Sequence, residues 1–190
     1  GRLSSLRRVG ATASRGSGGE EPDAEEPSCS ETIQEWLIDE GHCSAAALAH
    51  RGTGEMYAAA PVANEEGWSL VYREDFEAEV VMEDGGTMKV MINEQTTFFD
   101  ASKGIRPQFG LWIGGEKYTI TQITEEELEL ADRCRGLKVI FGKRHRKGLY
   151  IISTEHSILL AMYSEGQGQS AAGCKTAALS FAAALIDAGC

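Results

Sequence analysis

The residues whose type and spacing could do chemistry in this chain are cations, and the chemistry they suit is recognition of negative charge. Lys143, Arg144, His145, Arg146 and Lys147 form one dense basic run, "KRHRK". Lys117 stands alone after a glycine pair in "GLWIGGEKYTITQ", and Lys175 stands alone in "GCKTAALSF". The whole chain has a net charge of −11 over 190 residues. A local positive patch on an acidic protein orients an encounter with an acidic partner more than it adds affinity. The same balance argues against nucleic acid as the partner, because neutralising phosphates needs an extended basic field.

Catalysis has little to work with. His42 and Cys43 are adjacent, but neighbours in sequence usually point apart at a strand entry, and a thiol nucleophile needs a base beside it in space. The chain has no G-x-S-x-G, H-E-x-x-H or P-loop pattern. Its five cysteines (Cys29, Cys43, Cys134, Cys174, Cys190) are odd in number and widely spaced, which is neither a disulfide framework nor a zinc signature. They read as reduced thiols. No enzyme activity, metal or cofactor is expected.

These cations have to be held by a folded domain. Residues 1–19 carry four arginines and no acid, and "EEPDAEE" follows. Residues 1–28 therefore read as a disordered tail, too poor in apolar surface to offset ordering entropy, with a start that also resembles an organelle-targeting segment. Residues 29–190 read as a single domain, and no apolar run approaches the length that crosses a bilayer. "ETIQEWLIDEGHC" predicts a helix with Ile33, Trp36 and Leu37 on one face, capped by Ser30 or Thr32 and stopped at Gly41. "SAAALAHRGTGEMYAAAPV" predicts a hairpin turning at Gly52 and Gly54. "NEEGWSLVYRED" predicts a second helix with Trp68, Val71 and Tyr72 inward.

Further along, Val80–Met82 and Met88–Ile92 flank "EDGG" and predict a hairpin arm over about 77–92. "TTFFDAS" is a strand candidate. "FGLWIGGEKYTITQIT" predicts another hairpin, in which Tyr118, Ile120 and Gln122 alternate with Thr119, Thr121 and Ile123. "EEELELADRCRG" reads as an acidic link, followed by strands in "LKVIFGK", "GLYIIST" and "SILLAMYSE". The last helix carries a stripe of Ala177, Ala178, Phe181, Leu185 and Ile186. Short turns between strands imply an α+β fold. Its central antiparallel sheet has about six to seven strands, with the terminal helices on one face.

The series "GLWIGGEKYTITQ", "KVIFGKRHRKGLYIISTEHSILLAMYSEG" and "GCKTAALSFAAALIDAG" resembles the C-terminal two-thirds of a profilin. "IQEWLIDEGHC" and "SAAALAHRGTGEMYAAA" fit the same family. "GWSLVYREDFEAEVVMEDGGTMKVMINEQTTF", with Ile92, Asn93 and Glu94 as its INE motif, is similar to the apicomplexan-type branch. The resemblance covers residues 31–190. It implies a cytoplasmic, cytoskeleton-associated and monomeric protein that binds monomeric actin on one face and needs no cofactor. The actin-binding residues implied are Trp112, Lys117, Lys143, Arg144, Arg146 and Lys175, with the arm (Glu79, Glu83, Lys89) as a second contact. The chain departs from the family where profilins often carry glycines and this one has "RHRK". That heavier charge suits actin or an anionic phosphoinositide head group.

Profilins also bind proline-rich peptides, such as formin segments, on parallel aromatic rings. The expected aromatic positions here fall on Cys29, Thr32, Ala184 and Cys190. Only Trp36 and Tyr57 remain, which implies weak or absent polyproline binding. The alternative is a profilin-fold adaptor or scaffold that has lost actin binding.

Overall fold

The computed structural model describes residues 28–130 and 133–189, so the expected tail lies outside the described residues except for Ser28. The first helix, α1 (Cys29–Ile33), starts at a capping box. The Ser28 side chain accepts from the Glu31 N–H at 3.2 Å, and Glu31 Oε2 accepts from the Ser28 N–H at 2.7 Å. The cap is therefore Ser28, ahead of the expected Ser30 or Thr32. A π-helical stretch, Gln34–Ile38, continues α1, and the chain leaves it through Gly41 at φ +77°.

Seven strands form one antiparallel sheet in the order β2-β1-β9-β8-β7-β6-β5. They are β1 (Ala45–His50), β2 (Met56–Ala60), β5 (Leu111–Ile113), β6 (Glu116–Leu130), β7 (Arg133–Arg144), β8 (Lys147–Ser153) and β9 (Ser157–Ser164). The arm, β3 (Phe76–Val81) with β4 (Thr87–Ile92), is a separate two-stranded sheet. Both faces of the large sheet are buried, and strand alternation decides which residue serves which face. In β9, Leu159, Ala161 and Tyr163 join the cluster under the terminal helices, with Ile33, Leu37, Ala178 and Phe181. Ile158, Leu160 and Met162 join the opposite cluster, with Val71, Phe98 and Ala101. The terminal helices do share one face, as the sequence implied.

Further expectations are corrected. "TTFFDAS" is helical, the C-terminal part of α3 (Glu94–Ser102). Asn93 caps it, its side chain accepting from the Thr96 N–H at 2.8 Å, and Phe98 and Ala101 are buried at helical spacing. Threonine and phenylalanine favour strands only weakly, and the cap with its buried stripe outweighs that preference.

The acidic link is also regular structure. β6 and β7 continue through it in one ladder, from Thr119↔Lys143 to Leu130↔Arg133. A bulge between Ile120 and Gln122 shifts the alternation by one, so Ile123 joins the same cluster as Tyr118 and Ile120.

In α2 (Glu66–Val71) only Val71 follows the expected inward set; it is fully buried, whereas Trp68 and the following Tyr72 are 38% and 36% exposed. Gly67 is where this helix comes closest to the sheet. A Cβ there would meet the Ala60 backbone at 2.5 Å, so the glycine lets α2 lie directly on β2, with the next residue, Trp68, facing outward.

The last helix, α4 (Ala171–Ala188), buries Cys174, Ala178, Phe181, Ala182, Ala184 and Leu185, while Ala177 and Ile186 are only half-buried. Among the described residues α4 alone is long and apolar enough to cross a membrane, contrary to the expectation that no segment is. Its apolar stripe packs against the sheet.

Candidate actin-binding surface

The Gly114–Gly115 turn joins β5 to β6 and is built around a buried carboxylate. Glu94, the first residue of α3, is 1% exposed. Its Oε2 accepts from the N–H groups of Arg73 and Gly114, each at 2.8 Å, and its Oε1 accepts from the Gly115 N–H at 2.5 Å. Burial raises the Glu94 pKa, and the three N–H donors pull it back only in part. The turn tolerates no side chain at its first glycine. Gly114 has φ +59°, and a Cβ there would sit 2.3 Å from the Leu70 carbonyl oxygen. One carboxylate thus pins the root of the arm, the start of α3 and the turn that launches Lys117.

Trp112 and Lys117 are cross-strand partners, so they share a face of the sheet. Leu111, Ile113 and Tyr118 point to the other face, into the α2–α3 cluster. Trp112 packs against the arm: its ring meets Phe76 edge-on at 5.5 Å, and its Nε1 donates to the Phe109 carbonyl at 3.0 Å. Val80, Val90 and Ile92 form the small core that the arm closes over Phe109 and Trp112. On the arm itself Glu79 pairs across the ladder with Lys89, whose Nζ lies 3.0 Å from Glu77, and Glu83 lies beyond the end of β3.

The basic run divides by strand parity. Lys143 is opposite Thr119, on the face of Lys117 and of the α4-side residues Leu137 and Val139. It is exposed, like Lys117. Arg144, one residue on, turns to the other face, 2.9 Å from Glu116 and over the Tyr118 ring at 5.9 Å. Lys147 meets the same Glu116 at 3.2 Å. Arg146 sits in the β7–β8 turn at φ +56° and is exposed. Lys175, in the first turns of α4, is 2.5 Å from Glu126.

Lys117, Lys143 and Lys175 therefore belong to the α4 side, with Lys175 engaged by an acid, and Arg144 is directed away from it. The carboxylates Glu94, Glu116 and Glu126, which organise these cations and the turn, were not singled out as site residues from the sequence. Glu94 was legible only as a motif letter.

The two residues expected at a proline-peptide site lie on the α1–α4 side as well. Trp36 and Tyr57 both pack against the terminal-helix cluster. Trp36 meets Phe181 at 5.6 Å, and its Nε1 is buried without a hydrogen-bond partner. Tyr57 meets the His50 ring at 4.6 Å with the planes tilted by 36°, and it hydrogen-bonds with Ser157 Oγ at 3.2 Å.

A seven-stranded antiparallel sheet with terminal helices together on one face defines a profilin-like α+β protein, and comparison with known proteins agrees. The family described as Profilin matches residues 28–190. Profilins from two isolates of Plasmodium falciparum are each 32% identical over 171 residues, covering 86% of this chain and 98% of theirs. The profilin of Plasmodium berghei is 29% identical over 170 residues, covering 86% of this chain and 95% of its own.

Among solved structures, a Schizosaccharomyces pombe profilin superposes with TM-score 0.54 at 16% identity. It covers 85% of this chain and 98% of that one. Acanthamoeba castellanii profilin IA gives 0.50 at 20% identity, with the same coverages. The chain belongs to the profilin family and is of its apicomplexan type. Profilins are actin-binding regulators of actin assembly, cytoplasmic and not enzymes.

Proposed function

We propose that this profilin restrains filament nucleation by holding monomeric actin on the α4 side of its sheet, in association with the cytoskeleton. Lys117 and Lys143 steer the encounter, and Trp112 with the arm supplies the apolar neighbourhood. The observation that carries this reading is the exposure of Lys117 and Lys143 on one face, with no ion pair to either among the described residues, beside an arm of its own small core. Exposed charge pairs contribute about 0–1 kcal/mol each, so the cations orient and the apolar contacts hold.

Reversing Lys117 to Glu is expected to weaken binding of monomeric actin about tenfold, roughly 1.4 kcal/mol. Fluorescence titration against purified monomers reads this directly, and unchanged affinity would remove Lys117 from the surface. Arg144→Glu is a poorer probe, because it also places two acids together where Arg144 now meets Glu116. Arg146 and the neighbouring cations are equally suited to a phosphoinositide head group, a secondary partner in this reading.

The arm is read as a second actin contact through Glu79, Glu83 and Lys89. Deleting residues 79–89 is expected to lower actin affinity while the melting temperature stays within about 3 °C, because the arm's core is separate from the two clusters of the main sheet. A large fall in melting temperature would assign the arm to stability instead.

Proline-rich segments, including those of formins, bind weakly in this reading. The one orphan donor on that side among the described residues, Trp36 Nε1, is buried, so a peptide carbonyl reaches it only after the ring moves. The protein is expected to run through a polyproline column with little retention at moderate salt. Retention until strong denaturant would show an intact proline site.

A further inference from the structure

Beyond actin recognition, the geometry points to Cys43 and Cys174 as a redox pair, which a hydroperoxide converts into a disulfide stapling the two ends of the domain. Their Sγ atoms lie 3.5 Å apart although 131 positions separate them in sequence. Cys43 follows the first helical segment and donates its N–H to the Leu37 carbonyl at 3.0 Å; Cys174 lies in the first turn of α4. The two segments abut at consecutive positions, since a Cβ on Gly173 would come 3.5 Å from His42 Nδ1. A disulfide needs its sulfurs at about 2.05 Å, a closure of about 1.5 Å shared between two side chains.

Access and order of reaction follow from burial. Both thiols are almost wholly shielded, at 1% and 0% exposure. Cys43, however, contributes to the wall of a surface cavity of about 520 Å³, together with Ser44, Tyr163 and Gln169. A small peroxide enters there and meets Cys43 first. The Cys43 thiolate attacks the peroxide, breaking its O–O bond to give a sulfenic acid and hydroxide. The Cys174 sulfur then attacks that sulfenic sulfur. The S–S bond forms, the S–O bond breaks, and the hydroxyl leaves as water with the Cys174 proton. In sum two thiols are oxidised and one hydrogen peroxide is reduced to two waters.

Cys174 does not contribute to that cavity wall, and the hydrogen bond to Cys43 and burial both push its thiol pKa up, so Cys43 is the sulfur that meets the peroxide and Cys174 the one that resolves it. The residue after Cys174 is Lys175, so the staple fixes the helix turn that carries one of the α4-side cations.

The test uses the full chain treated with a modest molar excess of hydrogen peroxide. Peptide mapping by mass spectrometry should recover a fragment joining Cys43 to Cys174, two hydrogens lighter than its parts. The thiol count under denaturing conditions should fall by two of the five. Closing so long a loop should raise the melting temperature by roughly 5 °C or more, reversibly with dithiothreitol. Cys43→Ser and Cys174→Ser should each abolish the linked peptide, and Cys29→Ser should leave it. Oxygen addition at Cys43 without cross-linking would overturn the inference. So would oxidation of other cysteines while this pair stays reduced. Wild-type mapping alone decides, even where a variant folds poorly.

Discussion

Replacing Glu94 by alanine is expected to cost about 3–5 kcal/mol of folding stability. Three backbone N–H groups, from Arg73, Gly114 and Gly115, converge on this one carboxylate. Each donor left unsatisfied in a buried setting costs about 1–3 kcal/mol, and water entering the space recovers part of it. Urea denaturation at neutral pH measures the loss, and a loss under about 1 kcal/mol would show that the donors find other partners.

The pH dependence has a definite sign. Burial raises the Glu94 pKa above its ordinary range despite the hydrogen bonds, so the folded protein holds that proton more tightly than the unfolded chain does. The contribution of this group is greatest below the ordinary glutamate pKa and declines as pH rises through the raised one. Glu94→Gln does not titrate. The stability advantage of the wild type over that variant should therefore narrow as pH is raised through this window. A gap that widens with pH would mean that the hydrogen bonds outweigh desolvation.

Glu94 also shows where sequence reading stops. Its partners are backbone N–H groups 20 and 21 positions away, and every residue but proline carries such a donor. Nothing in the residue types marks those three. The neighbouring "TTFF" misleads for a related reason: a strand preference read locally is overruled by a cap at Asn93 and by burial of Phe98 and Ala101, which only the assembled core supplies.

By contrast, β9 was plain. "SILLAMYS" is buried along almost its whole length because both faces of the sheet are covered, and its apolar run carries that information itself. The basic run was legible as charge but not as direction. Lys143 and Arg144 are adjacent in sequence, so on a strand they leave by opposite faces, and only the register against Thr119 and Glu116 says which is which. "ELEL" already had the two-residue period of a strand, and its acidity disguised it as a link.

Trp112→Ala is expected to uncouple the arm from the sheet. The ring meets Phe76 at 5.5 Å, a pair worth about 0.5–1.5 kcal/mol beyond burial, and half-buried indole area adds to it. Losing both should cost about 2–3 kcal/mol locally, so amide exchange across residues 76–92 should accelerate about 100-fold. The β8 and β9 amides should keep their rates, because those strands belong to other clusters. Trp112→Phe should fall between, retaining a ring against Phe76 and losing the Nε1 donor to Phe109.

Actin affinity should follow the same order, wild type over Phe over Ala. An arm that contacts actin must be ordered on binding if it is not ordered beforehand, and that entropy is subtracted from the binding free energy. Uniform acceleration over the whole chain would make Trp112 an ordinary core residue. Selective acceleration of the arm with unchanged actin affinity would remove the arm, and Trp112 with it, from the binding surface.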